Sequence, residues 1–208
     1  IINLALPYLG KDFQADSQTL GFAISLISVG TIAAFVPVQL ADRYGRRPVL
    51  LWVAVGYTLF TVLTAFSIGL YDFVAYQFIA RLFMVTEVGV GSIILTEELP
   101  ARYRGAGIAL MFSAGLIGGI LGSSIFPFLV YTELGWRLLY LVGGGLFVLL
   151  LFYWNRLQET QRWQHEYEAG ALPSQSLLAS FREMRVVFQR AYRPKLLAGA
   201  SVWFTTNF

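Results

Sequence analysis

The sequence predicts an all-α membrane protein, and three observations carry that expectation. Only 13% of its 208 residues are charged and 57% are hydrophobic, with a mean hydropathy of +0.63; an ordinary soluble domain carries about 25% charged residues. The apolar residues gather into runs that reach the roughly 20 residues a helix needs to cross about 30 Å of hydrocarbon. The basic residues fall almost entirely in alternate gaps between those runs. Only helices and closed barrels satisfy their backbone N–H and C=O groups inside a bilayer, and uninterrupted apolar runs favour helices.

The runs follow in order. Residues 1–10 are apolar but cover half a bilayer. Residues 20–40 and 48–71 contain no charge, and 73–96 is broken only by Arg81 and Glu87. Residues 105–132 and 138–155 follow, and 196–208 is again apolar and again short. The expected layout is a transmembrane bundle over 1–155 with its first helix partial, a polar linker over 156–195, and the start of a seventh helix over 196–208. The first and seventh helices read as truncated. No basic n-region or small-residue cleavage site marks a signal peptide in the opening run.

Orientation follows from the basic residues. Arg43, Arg46 and Arg47 lie between the second and third runs, and Arg102 and Arg104 between the fourth and fifth. Arg156, Arg162, Arg182, Arg185, Arg190, Arg193 and Lys195 follow the sixth, whereas the alternate gaps hold only Lys11 and Arg137. By the positive-inside rule the Arg-rich loops face the cytoplasm, and a plasma-membrane location is expected. Topology accounts for these arginines without a nucleic-acid partner. Within the linker, Leu177, Leu178, Phe181, Met184, Phe188 and Tyr192 recur at helical spacing, which predicts an amphipathic helix.

Some chemistry is excluded outright. Without cysteine there are no disulfides, thiolate metal sites or cysteine nucleophiles. The single histidine, His165, leaves no imidazole cluster, and no two buried carboxylates are adjacent. Neither an enzyme nor a cofactor-dependent protein is expected.

The stretch Leu40-Ala41-Asp42-Arg43-Tyr44-Gly45-Arg46-Arg47-Pro48 predicts a tight turn between two spans. Gly45 can take a positive φ, and Pro48 suits the first turn of the next helix. Asp42 stands at the C-terminal end of a helix, where the macrodipole disfavours an anion, so it needs a cationic partner. Glu97 and Glu98 repeat that placement beside Arg102 and Arg104.

These residues resemble the major facilitator superfamily. Its loop between helices two and three reads Gly-x-Leu-Ala-Asp-Arg-x-Gly-Arg-Arg/Lys, and Leu40, Ala41, Asp42, Arg43, Gly45, Arg46 and Arg47 match; Val38 replaces the opening glycine. Glu97 to Gly105 resembles the Glu-x-x-Pro-x-x-x-Arg-Gly junction of sugar porters and metabolite:proton symporters. Leu134-Gly135-Trp136-Arg137 resembles the entry to helix six. The stretch from Arg156 to Trp163 resembles the Pro-Glu-Ser-Pro-Arg box of sugar porters, with both prolines replaced by glutamine. The resemblance implies a six-helix half-bundle of 3+3 inverted repeats, with the C-terminal half of the same chain missing. It also implies a cytoplasmic gate of Asp42, Arg43, Gly45, Arg46, Arg47, Glu97, Glu98, Arg104, Glu159 and Arg162, the alternative being simple loop anchoring. The fifth run lacks the Gly-Pro pair of the family's antiporters, which favours uptake over efflux.

Two intramembrane charges stand out. On an ideal helix Gln77, Met84, Glu87, Gly91 and Glu98 fall within about 80°, and Arg81 lies about 40° beyond. Glu87 is expected on the interior stripe as a proton-coupling carboxylate, with Arg81 as a substrate or partner charge. The alternative is that each pairs with a neighbouring helix for assembly alone. Gly115, Gly118, Gly119 and Gly122 form a stripe suited to close helix contact. Asn3, Trp203 and Asn207 lie on the two partial spans, which line the cavity of this fold.

The function expected is secondary active transport of a small polar organic solute, such as a sugar or organic acid, by alternating access and proton symport. Facilitated diffusion, and a non-transporting receptor or assembly subunit, remain alternatives. The expected partners are the solute, protons and the lipid bilayer.

Overall fold

The computed structural model describes residues 2–145 and 158–170, together with Leu197. Among the described residues there is no strand. The helices are α1 (Ile2–Asp12), α2 (Ser17–Ala33), α3 (Phe35–Tyr44), α4 (Arg46–Ala65), α5 (Leu70–Glu98), α6 (Arg104–Leu129), α7 (Arg137–Gly145) and α8 (Gln161–Glu168), with a 3-10 turn at Ala101–Tyr103. Four stretches are long and apolar enough to cross a membrane: Ser17–Tyr44, Arg46–Ala65, Leu70–Glu98 and Ala101–Leu129. The rest of the 138–155 run, the linker boundaries at 155/156 and 195/196, and the amphipathic segment at 177–192 lie outside the described residues. The 196–208 span does too, apart from Leu197.

Several boundaries differ from the sequence expectation. The 20–40 run is not one straight helix but breaks at Ala34. The cause is Pro37, in the first turn of α3: it has no N–H for the Ala33 carbonyl, and its ring crowds that oxygen. Beyond the break α3 continues through Asp42 to Tyr44, so the expected loop at 40–48 shrinks to Gly45. The 48–71 run stops being helical at Ala65, where the Phe66 and Ser67 amides turn back onto the Leu63 and Thr64 carbonyls.

α4 and α5 form the central pair, with α2 against α5 and α7 against α4. Gly30 permits the α2–α5 approach, because a Cβ there would stand 2.7 Å from the Phe78 carbonyl oxygen. At one end Phe73, Trp136 and Tyr140 pack edge to face, with ring centroids 5.7–6.1 Å apart. Such pairs contribute about 0.5–1.5 kcal/mol each beyond their burial. The Asp12 carboxylate closes this end, accepting from the Trp136 indole at 2.8 Å and the Arg137 guanidinium at 2.7 Å. Arg137 also donates to the Ser67 carbonyl at 3.3 Å, so the ends of α1 and α4 meet the start of α7. Ala41, Val49, Val53 and Val90 form a second apolar cluster toward the Arg-rich end.

α6 differs from the other long helices. Leu110, Leu116, Ile120 and Phe128 are all well exposed. Nothing lies within 4 Å of a Cβ placed at Gly115, Gly118 or Gly119. These three glycines of the stripe therefore pack against none of the described residues.

Candidate functional site

A cavity of about 410 Å³ opens between α2, α4, α5 and α7. Ile24, Ile27, Met84 and Leu139 supply much of its apolar wall. Ser28, Tyr57, Thr61, Gln77, Arg81 and Tyr140 supply its polar groups. The hydroxyls of Ser28 and Thr61 donate to carbonyls four residues back on their own helices, at 2.9 and 2.7 Å, which hides their protons from the cavity. Gln77 spends one amide hydrogen on Thr64 Oγ1 at 2.9 Å.

Arg81, an exposed residue, is the one charged group in this lining, and it has no ion pair among the described residues. The angular expectation put Arg81 at the margin and Glu87 on the interior stripe. The structure reverses the two with respect to the cavity: Gln77, Ala80, Arg81 and Met84 share its wall, and Glu87 lies outside the lining. Residues at i, i+3, i+4 and i+7 form one helix face, and the neighbours of α5 decide where that face opens. Glu87 is partly buried, without an ion pair among the described residues, and within electrostatic reach of Tyr57. Asn3 falls in α1. Asn207 and Trp203 lie outside the described residues.

A second constellation occupies the Arg-rich end. Gly45 has φ 103°, a left-handed conformation that side chains rarely adopt, and it starts α4 without a capping side chain of its own. The cap comes from Glu159. Its Oε1 accepts from the backbone amides of Arg46 at 2.9 Å and Arg47 at 3.2 Å, placing an anion at a helix N-terminus, where the macrodipole favours it. A Cβ on residue 45 would run into Glu159 Oε2.

The Arg46 side chain then joins three segments. It grips Glu97 through two bonds, Nε to Oε2 at 3.2 Å and Nη2 to Oε1 at 2.9 Å. Nη2 also reaches Asp42 at 3.2 Å, and Nη1 donates to the Ala41 carbonyl at the end of α3 at 3.4 Å. The Arg46 and Glu97 side chains are 6% and 7% exposed, so this is a buried pair. Thr160 completes it by donating its hydroxyl to Glu97 Oε2 at 2.8 Å, while Thr160 Oγ1 itself accepts from the Trp163 amide and caps α8. Glu98 accepts from the Gln161 amide at 2.9 Å, and the Trp163 indole donates to the Asp42 carbonyl at 3.2 Å.

The expected gate set is thus only partly gathered. Asp42, Gly45, Arg46, Glu97 and Glu159 meet, Arg47 joins through its backbone amide, and Glu98 attaches alongside. Arg104 instead donates to the Leu99 carbonyl at 3.2 Å. Arg162 pairs with Glu166 at 3.0 Å on the surface, a contact that raises its pKa, and Arg43 stacks over Tyr44. Each of these three has a nearer partner within five residues along the chain. Sequence reasoning singled out neither Thr160 nor Tyr140. The Ser/Thr-before-helix pattern could have flagged the first; a lone hydroxyl in the run from Leu138 to Val142 gave no signal for the second.

This is a bundle of membrane-length helices with a polar-floored cavity and a buried ion-pair network at one end. The chain belongs to the Major Facilitator Superfamily, whose sequence profile matches residues 1–208, and it is a multi-pass integral membrane protein. It is 31% identical over 144 residues to a putative metabolite transport protein of Haemophilus influenzae, covering 69% of this chain and 35% of that one. It is 28% identical over 191 residues to a 4-hydroxybenzoate transporter of Pseudomonas aeruginosa, covering 89% and 42%. A sialic acid transporter of Escherichia coli is 31% identical over 168 residues, covering 78% and 39%. The inward-open xylose transporter of E. coli superposes with a TM-score of 0.70 at 21% identity, over 91% of this chain and 52% of that one, a likeness of fold. The chain spans well under half the length of the curated relatives it matches.

Proposed function

We propose that the chain forms part of a secondary transporter that carries a small organic solute by alternating access, with proton symport coupled through Glu87. The observation that supports this most is the cavity of about 410 Å³ between α2, α4, α5 and α7, which among the described residues presents a single cationic side chain. Carriers of this kind hold their substrate near the bilayer midplane and rock two halves around it. The names of the relatives, which include transporters of metabolites and of 4-hydroxybenzoate, favour a small organic solute.

In this reading the Arg46–Glu97–Glu159 network is an inner gate facing the cytoplasm at the plasma membrane. It ties the ends of α3, α4 and α5 to the segment at 159–161, and its release frees those ends to move. Glu87 suits proton coupling because, among the described residues, it can gain or lose a proton without breaking an ion pair. The α6 face with Gly115, Gly118, Gly119 and Gly122 would meet the other half of the parent transporter.

The test uses the intact transporter, expressed in cells lacking related carriers, with external pH recorded as sugars, organic acids and aromatic acids are added singly. Alkalinisation with one class is the expected result. Labelled uptake with no pH response would make the protein a facilitator and Glu87 structural.

A further inference from the structure

The cavity has donors in excess of partners. Ser28 and Thr61 have spent their protons on their own helices and offer only oxygen lone pairs. Tyr140 is 3% exposed, lines the cavity, and its phenolic oxygen has no hydrogen-bond partner among the described residues. A buried polar atom without a partner costs about 1–3 kcal/mol, and native structures keep few of them. Arg81 adds a guanidinium with no ion pair among the described residues, a fork of five donors whose geometry fits a carboxylate.

The Tyr140 hydroxyl is costly as it stands, Arg81 is an open donor fork, and one kind of ligand answers both. An anion with two in-plane oxygens answers Arg81. A hydroxyl or carbonyl oxygen on the same molecule answers Tyr140. The apolar side chains of Ile27, Met84 and Leu139 would meet an unsubstituted stretch of the ligand, such as a ring or short hydrocarbon. A neutral sugar would leave Arg81 uncompensated, and an unsubstituted acid would leave Tyr140 so.

We propose that this cavity binds an organic carboxylate bearing a second oxygen function, with Arg81 holding the carboxylate and Tyr140 selecting for the second oxygen. This rests on the transport reading above and names the substrate class and the residue that sets specificity within it. The mechanism of selection is the buried hydroxyl: sites built to bond a substrate oxygen discriminate strongly against analogues that lack it, because the site's own polar group is then left unpaired.

The experiment uses the intact transporter in lipid vesicles, with labelled 4-hydroxybenzoate as probe and unlabelled benzoate, 4-hydroxybenzamide and D-xylose as competitors. Labelled amide and xylose are run in parallel. Ligand-induced thermal stabilisation of the solubilised protein is recorded separately from flux. The acid should enter saturably, with benzoate about tenfold weaker as competitor, and the amide and xylose ineffective. Arg81→Gln should raise KM at least tenfold and Arg81→Lys should recover part of the loss. Tyr140→Phe should raise KM about tenfold for 4-hydroxybenzoate and leave the inhibition constant of benzoate unchanged. Transport of the amide or xylose in place of the acid would overturn the proposal while leaving the transport reading intact, as would an unchanged KM in Arg81→Gln. Stabilisation by the acid without flux of any probe would sink the transport reading and keep the binding site. Neither binding nor flux would remove both.

Discussion

Arg46 and Glu97 meet through two parallel bonds of 2.9 and 3.2 Å with almost none of either side chain open to solvent. Breaking a buried pair from one side leaves the other charge stranded, at a cost of about 3–5 kcal/mol. Asp42 remains as a second acceptor for Arg46, so Glu97→Gln should fall at the low end, about 3 kcal/mol. Thermal unfolding of the solubilised transporter reads this. A Tm within a degree of the parent protein would mean that the pair contributes nothing net.

Gly45 and Glu159 should behave as one unit. Gly45→Ala forces a side chain into the left-handed region, which costs about 1–3 kcal/mol, and drives its Cβ into the Glu159 carboxylate. Glu159→Ala removes that obstacle along with the cap. The double variant should therefore lose clearly less stability than the two single losses added together, as expected for contacting residues. Strict additivity in the unfolding measurements would contradict the contact.

At the opposite end, Asp12→Ala should be worse than Arg137→Ala. Removing Asp12 strips the acceptor from the indole N–H of Trp136, a residue 2% exposed, for a loss of about 1–2 kcal/mol. Removing Arg137 leaves the indole bond in place. The reverse order in thermal unfolding would show that the cation carries this junction.

Asp16 caps α2 by accepting from the Thr19 amide at 3.2 Å. Its hydrogen bonds to Thr19 hold the carboxyl below its ordinary value of 3.8. A depressed folded pKa means that the cap stabilises above the unfolded value and fades as pH falls through the folded one. Amide exchange at Thr19 should accelerate relative to α4 amides on acidification from pH 7 through the carboxylate range. Asp16→Ala should abolish that relative change, and a parent protein with none would show the cap to be inert.

Glu87→Gln should abolish proton-coupled accumulation while leaving counterflow exchange of the solute. Accumulation that survives with its pH dependence intact would end the coupling role.

The four membrane-length stretches and the Gly45 turn were legible because each rests on a local rule: hydropathy over a helix length, and a glycine where φ must be positive. The break at Ala34 was equally local, and Pro37 was its sign within an otherwise apolar run. What could not be read was partnership across the chain. Arg104 and Arg162 look equivalent to Arg46 in sequence, but each finds a nearer acceptor than the expected gate acids. Arg81 and Glu87 sit six residues apart on one helix, and only the positions of α2, α4 and α7 decide which of them meets the cavity. Tyr140 carries one oxygen in an apolar run and gains meaning only from being sealed beside that cavity.

The cap on α4 has a consequence in time. Its carboxylate lies 113 residues downstream of the amide it satisfies. On a ribosome adding about 5–20 residues per second, that separation corresponds to roughly 6–23 s during which α4 is already synthesised and its first amides have only water. The same interval separates Arg46 from Thr160, the hydroxyl that completes its ion pair. The Arg-rich end therefore locks after the helices it joins have been synthesised, and the segment at 159–161 is the piece whose arrival closes that end.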